Sequence, residues 1–212
     1  MVKAEATERP DWREARRQAA REAIVTAAWT LVERDGLAAL SLRDLAKEAG
    51  ITTPTVYAYF DSKNAIYDAM FGQAAQHFSA YMSAVESTDD VRADLVAATR
   101  RFAEYCTQTT ARYQLLFQRT IPDFEPSQES YTYAVEALDR ARLRLHDAGI
   151  DDPRHLDLWT ALTTGLVDQQ ISNDPGGDRW LRLVEEAVDM FLAHCLPAAH
   201  SSPAPKRERV RR

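Results

Sequence analysis

Apolar residues recur at helical spacing along almost the whole chain. Ala20, Ile24, Ala27 and Leu31 fall at i, i+4, i+7 and i+11, the stripe of a buried helix face. This predicts a first helix from about Asp11 to Arg34, stopped at Asp35-Gly36, where glycine can take a left-handed cap. Ser41 caps a short second helix, with Asp44 supplying first-turn charge and Leu42, Leu45, Ala46 and Ala49 an apolar face. Gly50 ends it. A third short helix runs from about Thr53 to Tyr59. Asp61-Ser62 opens a long fourth, with the stripe Tyr67, Phe71, Ala74, Phe78, Met82 and Val85.

After a polar break at Ser87 to Asp90, a fifth helix uses Leu95, Ala98, Phe102, Cys106 and Thr109. A short sixth, from about Arg112 to Arg119, carries Tyr113, Leu116 and Phe117. Pro122 and Pro126 make Ile121 to Ser127 a loop. Tyr131, Ala134, Leu138, Ala141 and Leu145 mark a seventh helix, ended by Gly149. Asp151-Asp152-Pro153 starts an eighth, since proline suits a first turn; Asn173 to Asp178 breaks it. The ninth shows Trp180, Val184, Ala187, Val188, Phe191 and Cys195, and Pro197 stops it. Residues 198–212 hold Pro203, Pro205 and a basic end without apolar periodicity, a disordered tail. The expected fold class is therefore all-α, with about nine helices.

Composition agrees: 45% hydrophobic and 27% charged residues are globular usage, and 7 glycines disfavour a turn-rich all-β fold. At 212 residues the chain can bury a sizeable core in one or two domains. No apolar run approaches the roughly 18 residues of a membrane span, so no membrane partner is expected. Met1 to Trp12 lacks the apolar centre of a secretory signal. Cys106 and Cys195 are too few for a disulfide framework or a four-ligand zinc site, and a reducing cytoplasm is the expected home. The net charge of −6 conceals a partition. Residues 1–63 hold 10 basic and 10 acidic groups, residues 64–196 hold 11 and 21, and residues 197–212 hold 5 and 1. Arg9, Arg13, Arg16, Arg17 and Arg21 crowd the start of the first helix. The acid thus lies away from the N-terminal segment.

Ser41 to Phe60 is the informative stretch. Two short helices are joined tightly at Gly50-Ile51-Thr52. Ala46 sits where the helices approach, and Ile51 and Val56 plug the gap. This is either a helix-turn-helix or an ordinary helical hairpin. The second helix, opened by Thr52 with Pro54 in its first turn, presents hydroxyls and aromatics and no acids. That suits an N-terminus inserted into a major groove.

The run Gly50-Ile51-Thr52-Thr53-Pro54-Thr55-Val56-Tyr57-Ala58-Tyr59-Phe60-Asp61-Ser62-Lys63 resembles the signature of the TetR family of transcriptional regulators. Gly36-Leu37 and Ser41-Leu42-Arg43-Asp44-Leu45-Ala46 fit the same family, and the match covers about residues 15–70. The resemblance implies a three-helix DNA-binding domain at 1–63, a helical effector-binding and dimerisation domain at 64–196, and the tail at 197–212. It implies that Tyr57 and Lys63 contact phosphates, and that Ser41 and Thr52 cap helices and meet the DNA backbone. Arg43, Thr53, Pro54 and Thr55 would face base edges. Arg43 matches guanine best, because its fork bonds O6 and N7 together; a solvated charge, or a pair within Asp44's turn, is the alternative. Tyr59 matches a backbone-touching position, or else is a core aromatic beside Phe60. Ala58 departs from members with a larger group there.

The resemblance also implies a small-molecule cavity. The aromatic stripes nominate Phe78, Phe102, Tyr131 and Trp159, with Phe117 closing one side and Thr163 and Gln169 as polar anchors. Such a lining predicts an apolar or aromatic effector. The eighth and ninth helices offer a homodimer surface: Leu162, Gly165 and Leu166 with Trp180, Val184, Val188 and Phe191. Gly165 marks either close helix approach or simple tolerance. The resulting expectation is a repressor that binds a palindromic double-stranded operator as a homodimer and is released when its effector tilts the fourth helix. A helical adaptor without ligand control and a ligand-promoted activator are the alternatives. An enzyme is not expected: there is no glycine-rich phosphate loop, GxSxG or HExxH, and the five histidines have no ligand spacing. No metal or cofactor is expected.

Overall fold

The computed structural model describes residues 12–196. The expected N-terminal arm, the Pro197 stop and the disordered tail lie outside the described residues. Nine α-helices, and no strand, occur among those described: α1 (Trp12–Asp35), α2 (Leu42–Glu48), α3 (Thr53–Tyr57), α4 (Lys63–Ser83), α5 (Val91–Gln108), α6 (Thr110–Phe117), α7 (Gln128–Asp147), α8 (Pro153–Asn173) and α9 (Val184–Cys195). Short 3-10 turns at Leu37–Ala39 and Leu181–Leu183 precede α2 and α9. The helices form two compact units. One takes residues up to Ala84 together with Glu104–Asp139, and the other Val85–Ala103 with the chain from Arg140 onward. Helices α5 and α7 are each divided between them.

The first unit has one continuous core. Ile24, Val32, Leu45, Val56, Phe60, Ile66, Met70 and Phe71 are all buried in it, so the apolar faces of α1 to α4 close on each other. Burying these side chains contributes about 1.5–3 kcal/mol each relative to exposure. Polar groups inside are satisfied. The Tyr67 hydroxyl donates to the Leu37 carbonyl at 2.6 Å, and burial pushes its ionisation up to about 12. Trp29 Nε1 donates to Gln73 Oε1 at 2.7 Å, pinning α1 to α4. At Gly72 an added Cβ would sit 3.1 Å from Ser130 Oγ, so the absence of a side chain sets how closely α7 crosses α4.

The second unit packs Leu95, Val96, Leu145, Ile150, Trp159, Val184, Val188 and Phe191 into a separate core. On its surface Arg92 pairs with Asp189 at 2.5 Å and Glu185 at 3.3 Å, and Arg100 with Glu185 at 2.6 Å. Two expected boundaries shift. Helix α3 stops at Tyr57 because Tyr59 N–H turns back to the Val56 carbonyl at 3.0 Å, which delivers Phe60 to the core. Trp180 lies before α9, not on it. The Gln170 side chain accepts the Trp180 N–H, and the Asp174 carboxylate accepts the Arg179 N–H, both at 2.9 Å, holding the chain in a loop until the 3-10 turn.

Candidate nucleic-acid interface

The α2–α3 element follows from a few local bonds. Ser41 Oγ accepts the Asp44 N–H at 3.1 Å and caps α2. At the other end Gly50 N–H bonds the Lys47 carbonyl at 3.2 Å and Ile51 N–H the Ala46 carbonyl at 2.9 Å. This pair of bonds is a Schellman closure, and it requires the φ of +66° that Gly50 adopts. Ala46 is buried where the helices meet and Val56 is fully buried beneath them, while Ile51 is packed partly into the same core. Thr52 then opens α3: its Oγ1 accepts the Thr55 N–H at 3.3 Å and lies 2.8 Å from Thr55 Oγ1, with Pro54 in the first turn. The turn and the cap fix the direction in which α3 leaves α2.

What α3 presents outward is polar, aromatic and free of acids. Pro54, Ala58 and Tyr57 are exposed, Tyr57 at 51%, and Thr53 and Thr55 are half-buried. Arg43 is exposed on α2 and makes no ion pair among the described residues; Asp44 instead accepts the Ser41 hydroxyl proton at 2.5 Å. Tyr59 packs partly against the core beside Phe60, the second of its two expected roles. Ser62 Oγ accepts the Ala65 N–H at 3.1 Å, opening α4, and Lys63 in the first turn holds its ammonium 5.4 Å from the Tyr67 ring centroid. Ser41, Arg43, Thr52 to Thr55, Tyr57 and Lys63 therefore lie on consecutive capped elements of one unit.

Of the arginines crowding α1, Arg21 has a different role from its neighbours. Its guanidinium donates to the Tyr59 carbonyl and lies 4.2 Å over the Phe60 ring. It closes the C-terminal end of α3 from α1. Sequence pattern alone missed this, because the bond joins residues 38 positions apart; the arginine-aromatic pairing was its only trace.

The expected sensor residues are distributed over both units. Phe78 and Phe117 meet edge to face at 5.3 Å in the first. Tyr131, in the same unit, is 50% exposed and stacks on Phe71 at 6.1 Å, while the neighbouring face of α7, with Tyr133 and Ala134, is packed on the core. Phe102, Trp159, Thr163 and Gln169 fall in the second unit. Trp159 is buried against Phe191 at 4.9 Å, and the Thr163 hydroxyl donates to the Trp159 carbonyl of its own helix at 2.9 Å. Gln169 is exposed and its carbonyl oxygen accepts from Asn173 at 2.8 Å, so it faces solvent and not a pocket.

The expected dimer surface also needs correction. Val184, Val188 and Phe191 are buried inside the protomer, because α9 turns that stripe onto α5 and α8. Half-buried Trp180 precedes the helix. What α8, α9 and the 3-10 turn before α9 leave exposed is Leu158, Gly165, Leu183 and Met190, with Leu162 and Leu166 half-buried. Gly165 has no atom within 4 Å of where a Cβ would stand, so nothing in its own chain requires the glycine. Among the described residues no group of three or more His, Cys, Asp or Glu side chains can hold a metal ion, and no helix is long and apolar enough to cross a membrane.

Comparison with known proteins agrees with this geometry. Residues 24–70 match the family of bacterial regulatory proteins, tetR family. The transcriptional regulator EthR of Mycolicibacterium smegmatis is 32% identical over 183 residues, which is 81% of this chain and 82% of that protein. The transcriptional activator FasR of the same organism is 27% identical over 148 residues, 68% of this chain and 67% of that one. The structure of the regulator FadR from Bacillus subtilis, in complex with stearoyl-CoA, superposes with a TM-score of 0.67 at 16% identity, covering 81% of this chain and 97% of that chain. The chain belongs to the TetR family, DNA-binding regulators of transcription and not enzymes.

Proposed function

We propose that the protein is a ligand-responsive repressor that binds a palindromic operator as a homodimer and leaves it when a small apolar or aromatic effector is bound. The observation that supports the DNA half is the α2–α3 element, which exposes Arg43 on α2 and, on an α3 that carries no carboxylate, presents Thr53, Pro54, Thr55 and Tyr57. Arg43 reads a base edge, Lys63 and Tyr57 hold phosphates, and the helix starts capped by Ser41 and Thr52 meet the DNA backbone. Residues 1–63 act as the reading head, the remainder as sensor and dimer platform. The apolar residues exposed or half-buried on α8, on the turn before α9 and on α9, with Leu158, Leu162, Gly165, Leu183 and Met190, support pairing of two copies. A two-fold pair then places two α3 helices about one DNA turn, or ~34 Å, apart on matching half-sites.

Release needs a differential affinity. To weaken operator binding 100-fold, the effector must favour the non-binding state by ~2.7 kcal/mol. That FadR was crystallised with stearoyl-CoA supports a small-molecule effector for the fold. A ligand-promoted activator is the second reading, favoured by the name of FasR as an activator.

Selection of bound fragments from genomic DNA, followed by affinity measurements across salt, tests the proposal. Lys63→Ala should weaken all sequences alike and lower the salt slope by about 1. Arg43→Ala should relax preference at one base position, by about 1–3 kcal/mol. If neither substitution changes binding, α2–α3 is not the reading face.

A further inference from the structure

A cleft of about 360 Å³ lies within the first unit, lined by Phe71 of α4, Leu116 and Phe117 of α6, Ile121 and Phe124 of the following loop, and Tyr131 of α7. Four of its lining side chains, Phe71, Phe117, Phe124 and Tyr131, are aromatic. Phe71 and Tyr131 stack with planes 17° apart, and Phe117 is held from behind by Phe78 and by Tyr113 at 5.8 Å. The two charged side chains of its lining, Arg119 and Glu125, pair with each other at 3.1 Å and are 85% and 77% exposed. They sit in water at the rim and offset each other, so the lining carries no net side-chain charge.

The loop that roofs this cleft is fastened to the start of α4. Asn64 Nδ2 donates to the Asp123 carbonyl at 3.2 Å, and Asp123 holds a positive φ of +57°. Ser127 donates its N–H and its hydroxyl to the two Asp68 carboxylate oxygens, at 2.7 and 2.9 Å. Phe124 lines the cleft on one side and packs on Tyr67 at 5.7 Å on the other. Asn64, Tyr67 and Asp68 occupy the first two turns of α4, directly after Lys63. The roof of the cleft and the phosphate-facing end of α4 are thus one hydrogen-bonded piece.

We infer that this cleft is the effector site, that it takes a small, flat, uncharged aromatic molecule, and that the 121–127 loop is the strap by which occupancy reaches Lys63. The volume is at the small end of ligand pockets and holds on the order of one two-ring molecule. Stacking on Phe71 and Tyr131 supplies orientation, and an unbalanced charge would have to break the rim pair or remain unpaired. A ligand under Phe124 displaces the strap, and with it the Asn64 and Asp68 bonds. The regulatory half of this inference rests on the function proposed above; the site itself does not.

The test uses the full chain and 2-naphthol, with 2-naphthoate and 2-naphthylmethylammonium as charged counterparts. Calorimetry should show both charged probes at least tenfold weaker than 2-naphthol. Tyr131→Ala removes an exposed wall and should weaken 2-naphthol tenfold or more; Leu116→Trp fills the cleft and should abolish binding, which keeps the test informative should one variant misfold. Saturating 2-naphthol should change amide exchange at residues 63–68 by threefold or more, and Asn64→Ala combined with Asp68→Ala, which removes the bonds that binding displaces, should erase that response and strengthen 2-naphthol binding threefold or more. Equal affinity for the charged probes overturns the ligand class. Unchanged affinity in both folded cleft variants overturns the site, and an exchange response that survives the double substitution overturns the strap. DNA binding is read separately: a chain that takes 2-naphthol here but binds no DNA keeps the site and loses the regulatory reading.

Discussion

Replacing Arg21 with methionine separates a clamp from a phosphate contact. The guanidinium donates to the Tyr59 carbonyl at the end of α3 and covers the Phe60 ring at 4.2 Å. A hydrogen bond from a charged donor contributes about 1.5–3 kcal/mol, and a cation over an aromatic ring at a partly exposed site about 0.5–1 kcal/mol. Arg21 is half-buried, so the lower ends apply, and methionine retains the apolar stem. The expected loss is about 2 kcal/mol, concentrated in α3 and the turn after it. By 1.36 kcal/mol per decade this is roughly a 30-fold rise in local opening. Amide exchange read at Tyr59 and Phe60, whose N–H groups bond back to the Val56 carbonyl, should accelerate by that factor. Operator affinity should fall, because α3 loses its fixed orientation, but the slope of affinity against salt should stay as in the parent. The reverse pattern, a slope reduced by about 1 with exchange unchanged, would make Arg21 a phosphate ligand and refute the clamp.

Four further outcomes are expected. Gly50→Ala forces a side chain into a φ of +66° and should destabilise the protein by about 1 kcal/mol in thermal melts, although the Cβ meets no atom. Phe191→Ala should cost about 3–5 kcal/mol as a core cavity, at any protein concentration. Met190→Arg, on a residue 64% exposed, should leave the fold intact and shift light-scattering mass toward the monomer. The His146 imidazole, whose Nδ1 lies 2.5 Å from an Asp151 oxygen, is raised above its ordinary 6.5 first by that hydrogen bond and then by the carboxylate charge. Its contribution is complete below pH 6.5 and disappears as pH rises through the raised folded value. An NMR titration should find Asp151→Asn returning it toward the ordinary range, and an unmoved midpoint would remove Asp151 as the cause.

The elements easiest to read from sequence were those decided by local chemistry. Ser41, Thr52 and Ser62 cap the helices they precede, Gly50 takes the left-handed turn, and Pro153 opens α8, all because these bonds close within a few residues. Faces were harder. On α9 the apolar stripe Val184, Val188 and Phe191 looks the same whether it meets its own chain or a partner, and only the packing of α5 and α8 distinguishes them. Tyr131 followed the helical period yet emerged half exposed, because the loop before α7 sets its rotation through Ser127, whose hydroxyl also accepts the Ser130 N–H at 3.2 Å. The Arg21 clamp and the Asn64 and Asp68 ties join distant positions, and no periodicity encodes such pairs.

The three hydroxyl caps divide two tasks between the two ends of one O–H group. A lone pair on each oxygen holds a backbone N–H: Asp44 for Ser41, Thr55 for Thr52 and Ala65 for Ser62. The proton is a separate resource. Ser41 gives its proton to Asp44, and Thr52 and Thr55 share one between their hydroxyls, whereas Ser62 has no such acceptor among the described residues. Folding asks only for the lone pair, so serine, threonine, aspartate and asparagine serve it almost equally. A phosphate asks for the proton and repels a carboxylate. If the start of α4 faces phosphate as proposed, aspartate at position 62 builds α4 as well as serine does and weakens DNA binding, so stability and affinity measured on that one variant separate the fold from the binding.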